Sequence, residues 1–152
     1  MDSAFHLQQV LQTQIPLSKQ MGIVVAVSNA ELVRFRLPLE PNHNHKMTAF
    51  GGTLIAAQAL ACWALLMELL SHRRIDAEVV LQREHSNFFK PVEADFIVET
   101  RPLIESETER FLQTLKLHHK ARIEVSAQVV CAGEVACEFT GQYVAIMKSG
   151  RT

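Results

Sequence analysis

From Thr53 to Leu70 the chain runs for 18 residues with only Gln58 and Glu68 interrupting an apolar sequence. A segment apolar on nearly every side has two physical solutions, a lipid bilayer or enclosure by protein. The length is marginal for a bilayer, and Glu68, close to the end of the run, would be costly there. Amphipathic strand patterns lie on both sides of the run and can cover it, so enclosure is the expectation. The spacing predicts one helix from Gly51 to about His72, roughly 33 Å long at 1.5 Å per residue. Ala56, Ala57, Ala59, Ala61 and Ala64 let a sheet approach it closely, and Arg73-Arg74 complements the negative end of its dipole.

The flanking sequence supplies the cover. Residues 3 to 15 carry Phe5, Val10, Leu11 and Ile15 near helical spacing, with Ser3 as a candidate N-cap and Pro16 as the stop. Met21 to Val27 is short and β-branched, Ser28-Asn29 is a turn, and Leu32 to Leu39 alternates. The pair reads as a hairpin. Beyond the long helix, strands are expected over Ala77 to Phe89, broken by Pro91, and over Ala94 to Thr100. Ser106-Glu107-Thr108-Glu109 has the capping-box pattern and opens a short helix through Phe111, Leu112 and Leu115. Ile123 to Cys131 and Val135 to Tyr143 alternate around an Ala132-Gly133-Glu134 turn. One helix apolar all round beside about six alternating strands implies an α+β fold. A curved antiparallel sheet is wrapped around the helix, in a single domain over residues 1–152.

Composition narrows the function classes. Fifteen Lys and Arg against 16 Asp and Glu give a formal charge of −1 without a basic stripe, which argues against nucleic-acid binding. Cys62, Cys131 and Cys137 have no framework spacing and read as reduced thiols, with no base beside any of them. The first residues lack a basic region followed by an apolar core, so a cytoplasmic location is expected. His43-x-His45 and His118-His119 lack a carboxylate or Cys at ligand spacing, and no metal is expected.

Three local motifs point further. Asn42-His43-Asn44 is followed by Thr48-Ala49-Phe50-Gly51-Gly52-Thr53-Leu54 at the start of the long helix. Asn87-Phe88-Phe89-Lys90-Pro91-Val92 ends the third strand, and Gly141-Gln142-Tyr143-Val144 lies in the last. Together, over about residues 16 to 147, they resemble the hotdog-fold thioesterases. More narrowly, they are similar to the thioesterase family related to the C-terminal domain of the YiiD protein. The resemblance implies the hotdog fold and an acyl thioester substrate in fatty-acid metabolism, with coenzyme A or acyl carrier protein as its handle and no other cofactor. It also implies a homodimer or a tetramer, with the site between the start of one central helix and the partner subunit. The same family's domain occurs fused to an acetyltransferase domain, but these residues contain no Arg/Gln-x-x-Gly-x-Gly/Ala pyrophosphate loop, so acetyl transfer is not expected.

Thioester hydrolysis needs a polarised carbonyl and an activated water. Gly51 and Gly52 open the helix, so their free N–H groups and the positive dipole end can face a thioester oxygen; they can equally serve close packing. The second need departs from the relatives. Phenylacetyl-CoA-type thioesterases carry His-Gly-Gly and then an Asp or Glu on the helix, where this chain has Phe50 and Ala59. The remaining candidates are Asn42 and Asn44, which match the family's Asn-x-Asn but also suit turns and caps, and His85 with Glu84 on the third strand. His43, His45, Phe50, Thr53, Gln58 and Lys90 are the expected substrate contacts, with Arg73 and Arg74 as further cations for coenzyme A phosphates. The rival reading is a hotdog module that binds an acyl thioester without cleaving it, and the missing carboxylate at Ala59 favours it.

Overall fold

The computed structural model describes residues 2–148. Helices α1 (Ser3–Gln14) and α2 (Pro16–Gln20) lead into strands β1 (Val24–Ser28) and β2 (Val33–Leu37). The long helix α3 (Gly51–His72) follows, then β3 (Ala77–Phe88), β4 (Phe96–Thr100), α4 (Glu105–His118), β5 (Lys120–Cys131) and β6 (Glu134–Met147). The six strands form one sheet in the order β1-β2-β4-β5-β6-β3, with every neighbouring pair antiparallel. This is the α+β arrangement expected from the sequence, a sheet curled around one helix.

Helix α3 is long and apolar enough by composition to cross a membrane, but it lies in the hollow of the sheet. Leu54, Leu65, Leu66, Leu69 and Leu70 are buried there, each contributing about 1.5–3 kcal/mol by leaving water. Ala57, Ala61 and Ala64 are fully buried, which fits their expected role of admitting the sheet. Glu68 is half-buried and accepts hydrogen bonds from Ser3 Oγ (3.1 Å) and Ser28 Oγ (2.8 Å), so its carboxylate ties α1 and β1 to α3. Helix α4 adds Phe111, Leu112 and Leu115 to the same core, and Arg73, which ends α3, pairs with Glu109 at 2.7 Å.

Helix boundaries depart from the sequence in three places. Asp2, not Ser3, caps α1, its side chain accepting from Ala4 N. The first helix stops at Gln14, and Pro16 opens a separate short helix, because proline is disfavoured inside a helix but suits its first position. No capping box forms at Ser106. Helix α4 starts two residues earlier, at Glu105 with Ile104 as N-cap, and Thr108 Oγ1 donates to the Ile104 carbonyl instead.

The two sheet edges are treated differently. At β1, the Gln8 side chain of α1 completes the ladder, donating to Ile23 O (2.9 Å) and accepting from Val25 N (2.7 Å). At the other edge β3 has, among the described residues, no neighbour beyond β6, and Val80 and Leu81 are exposed. The β3–β6 register shifts between Leu81 and Arg83, leaving Gln82 as an extra residue. Before the bulge Val79 and Leu81 pair with Ala145 and Tyr143; after it Glu84, Ser86 and Phe88 pair with Gly141, Phe139 and Cys137. Cross-strand partners share a face, so these residues of β3 all look inward, towards α3.

Strands β5 and β6 meet in a two-residue turn in which Ala132 (φ 52°) and Gly133 (φ 76°) are both left-handed. This is the type I′ hairpin geometry, which favours Asn over Ala at its first position. Ala132→Asn is therefore expected to stabilise the fold by about 0.5–1 kcal/mol, read as a higher urea midpoint at unchanged m-value.

Candidate functional site

The loop before α3 is held by its two asparagines. Asn42 is buried, and its Nδ2 donates to Met21 O and Pro38 O, both at 2.8 Å, while its own carbonyl accepts from Phe50 N at 2.8 Å. Asn44 Oδ1 accepts from Lys46 N (2.8 Å) and Thr48 N (3.2 Å), and its Nδ2 donates to Thr48 Oγ1 (2.9 Å) around Met47 at φ 62°. Both amide groups are thus engaged in fixing where α3 begins. His43 and His45 are exposed on this loop, with His43 Nδ1 3.0 Å from the Asn44 carbonyl.

What the loop positions is an uncapped helix start. Phe50 is the N-cap residue and provides no side-chain cap. Among the described residues nothing accepts a hydrogen bond from Gly51 N or Gly52 N, whereas Thr53 N donates to the Phe50 carbonyl at 3.0 Å. The two glycines differ in why they lack a side chain. A Cβ on Gly52 would stand 2.5 Å from the Phe50 ring, which folds over it, so packing alone requires that glycine. A Cβ on Gly51 would meet only the Phe88 ring at 3.5 Å, ordinary contact. Gly51 therefore weakens the helix by about 0.5–1 kcal/mol relative to Ala without an internal steric reason. It opens on a pocket of about 390 Å³ lined by Ala49, Gly51, Leu54, Phe88, Phe89 and Lys90 among others. Lys90, at the pocket, pairs with Glu134 and holds that exposed carboxyl below its usual range.

The other expected residues are dispersed. His85 pairs with Thr140 and lies on the outer face of the sheet, away from α3 and the pocket. Gln58 is fully buried two turns below Gly51; its Nε2 donates to Leu54 O (2.9 Å) and Cys137 Sγ (3.2 Å), and its Oε1 has no partner. Ala59 offers only its backbone oxygen, which accepts from Tyr143 Oη at 2.6 Å. The Tyr143 hydroxyl and the Cys62 and Cys137 thiols are all pushed up, chiefly by burial, so none supplies a ready base or nucleophile at neutral pH. The inner face of β3 holds instead a pair that sequence reading passed over, Ser86 Oγ donating to Glu84 Oε2 at 2.6 Å. Glu84 entered that reading only beside His85, because nothing in the residue pattern marks the bulge at Gln82.

An antiparallel sheet of six strands around a long helix whose uncapped start opens on a pocket defines a hotdog-fold protein of thioesterase type. The chain belongs to the family described as "Putative thioesterase (yiiD_Cterm)", whose model matches residues 4–147. A protein of unknown function from Chlorobaculum tepidum is similar over 95% of this chain and 94% of its own, with 25% identity and a TM-score of 0.90. A "putative thioesterase" from Shewanella oneidensis shares 26% identity over 94% of this chain and 96% of its own, with a TM-score of 0.79. A Pseudomonas aeruginosa protein at 22% identity, covering 97% and 99%, shares the fold at a TM-score of 0.81.

Two expectations follow from this geometry. Asn42→Ala strips partners from two carbonyls and should destabilise the fold by about 1–3 kcal/mol in denaturant titration. At pH 8 native Cys62 and Cys137 should alkylate far more slowly than in the unfolded protein, since burial raises their thiol pKa and depletes the thiolate; mass spectrometry of iodoacetamide-treated protein checks this.

Proposed function

We propose that this protein hydrolyses an acyl thioester of coenzyme A or acyl carrier protein, with the carbonyl held at the start of α3. The observation that carries the reading is Gly51. It is a first-turn glycine with an unengaged N–H, no internal need to lack a side chain, and a pocket in front of it. The carbonyl oxygen accepts from Gly51 N–H, with Gly52 N–H beside it, and the positive end of the α3 dipole stabilises the charge that develops as water attacks. One such donor is worth about 10²–10³ in rate. Phe88 and Phe89 offer apolar walls, and Lys90 offers a cation that can exchange Glu134 for a phosphate of the handle. The handle is part of the substrate, and the reading invokes no further cofactor.

We also propose a homodimer built by adding two β3 strands edge to edge, which would bring a partner surface to the mouth of the pocket. The long unpaired edge of β3, with Val80 and Leu81 exposed, supports this. The three free thiols accord with a reducing, cytoplasmic setting.

A second reading, a module that binds acyl thioesters without cleaving them, is favoured by Phe50 and Ala59 standing where relatives have a catalytic pair. Release of free thiol from an acyl-CoA panel separates the two. Saturable turnover is expected, and Gly51→Ala should lower kcat/KM about 10–100-fold by holding the carbonyl off the backbone, while leaving the fold as stable or more so. Binding without turnover would overturn the hydrolase.

A further inference from the structure

Resting on the hydrolase reading, the open question is which group activates the water. Anchors on both sides show how β3 runs beside α3. The Phe88 ring lies beside Gly51, Tyr143, the cross-strand partner of Leu81, bonds the Ala59 carbonyl, and Trp63 Nε1 donates to Val79 O at 3.2 Å. The two elements therefore run in opposite directions, side by side. Between the Phe88–Gly51 anchor and the Leu81–Tyr143–Ala59 anchor, two residues of β3 face inward: Ser86 and Glu84. By the two anchors they stand alongside the first two turns of α3. From Gly51 to Ala59 the helix rises about 12 Å. Glu84 is exposed and lies four residues before Phe88, whose ring meets Gly51, so it stands about 13 Å along the strand from that end of the pocket, at 3.3 Å per residue.

We propose that Glu84 is the general base of the hydrolysis and Ser86 its positioning residue, so that β3 supplies the carboxylate that position 59 lacks. Ser86 Oγ occupies Glu84 Oε2 and leaves Oε1 for the water. Burial is the main cause of the raised Cys137 thiol, and the negative charges of Glu138 and Glu84 add to it, consistent with Glu84 lying over that part of the inner face. Cys137 and Tyr143 are the titratable groups on the inner face of β6 in this neighbourhood, with Glu138 on its outer face paired to Arg101; Arg83 and His85 flank Glu84 in sequence but face outward, and α3 brings no charged side chain between Gly51 and Trp63.

The step balances without an added reactant. Glu84 Oε1 takes a proton from water as the water oxygen bonds the thioester carbon, giving an oxyanion at Gly51 N–H. Collapse breaks the C–S bond, and Glu84 returns the proton to the leaving sulfur, so thioester and water become acid and thiol.

The test uses the intact protein, acyl-CoA substrates and a thiol-release assay. Glu84→Gln should lower kcat by about 100-fold or more at little change in KM. Ser86→Ala should lower kcat less, again at little change in KM, with Ser86→Thr restoring it. Glu78→Gln, a carboxylate on the outer face of the same strand, should act like wild type, and all four variants should melt like it. A Glu84→Gln enzyme within about threefold of wild-type kcat overturns the assignment and leaves the hydrolase standing. A wild-type protein that binds acyl-CoA without turnover overturns both.

Discussion

Burial of α3 in the hollow of the sheet sets the position of nearly everything else. A helix with apolar groups on every side cannot rest on one flat layer, because one face would stay in water. The sheet has to curl, and small residues at Ala57, Ala61 and Ala64 let it come close enough to do so. Tyr143 and Trp63 then tie sheet and helix together through backbone carbonyls of Ala59 and Val79, which fixes the helix lengthwise as well as sideways. Arg73–Glu109 holds the far end.

That lengthwise fixing is what makes the N-terminus of α3 usable. A helix start is a ready site for a carbonyl oxygen only if its N–H groups are uncapped and its place is firm. Here Asn42 and Asn44 provide the firmness from outside the helix, and Phe50 leaves the cap position chemically empty. The pocket is thus built by groups that do not themselves face it. The two asparagines act through the loop they brace.

The sequence discloses the fold more readily than the site. The all-round apolar helix, the alternation in β5 and β6 and the Ala132-Gly133 turn each reflect local chemistry that survives folding, and each is found. The helix boundaries near Ser3, Ile15 and Ser106 miss by a residue or two, because caps are decided by local geometry that several nearby polar residues can satisfy. Which residues of β3 face the helix is harder to read. A regular strand with Val79 and Leu81 inward would also turn His85 inward. One extra residue at Gln82 reverses that, exchanging His85 for Glu84 on the face that sees α3. A bulge of this kind leaves no mark in a run such as Leu81-Gln82-Arg83-Glu84, where every residue tolerates either geometry. Gly51 and Gly52 look alike in sequence too; only the Phe50 ring separates a glycine needed for packing from one facing open space.

The glutamine at the opposite edge of the sheet has a wider meaning. Gln8 lends β1 a side-chain amide that copies the donor and acceptor of a neighbouring strand, so that edge offers a newcomer little to pair with. A sheet with two open borders can be extended by identical copies without end, as in a fibre. One whose single open border pairs edge to edge with its own copy across a two-fold axis uses that border up. Gln8 thereby closes the start of the β1 border, which leaves β3 the more open of the two borders of the sheet.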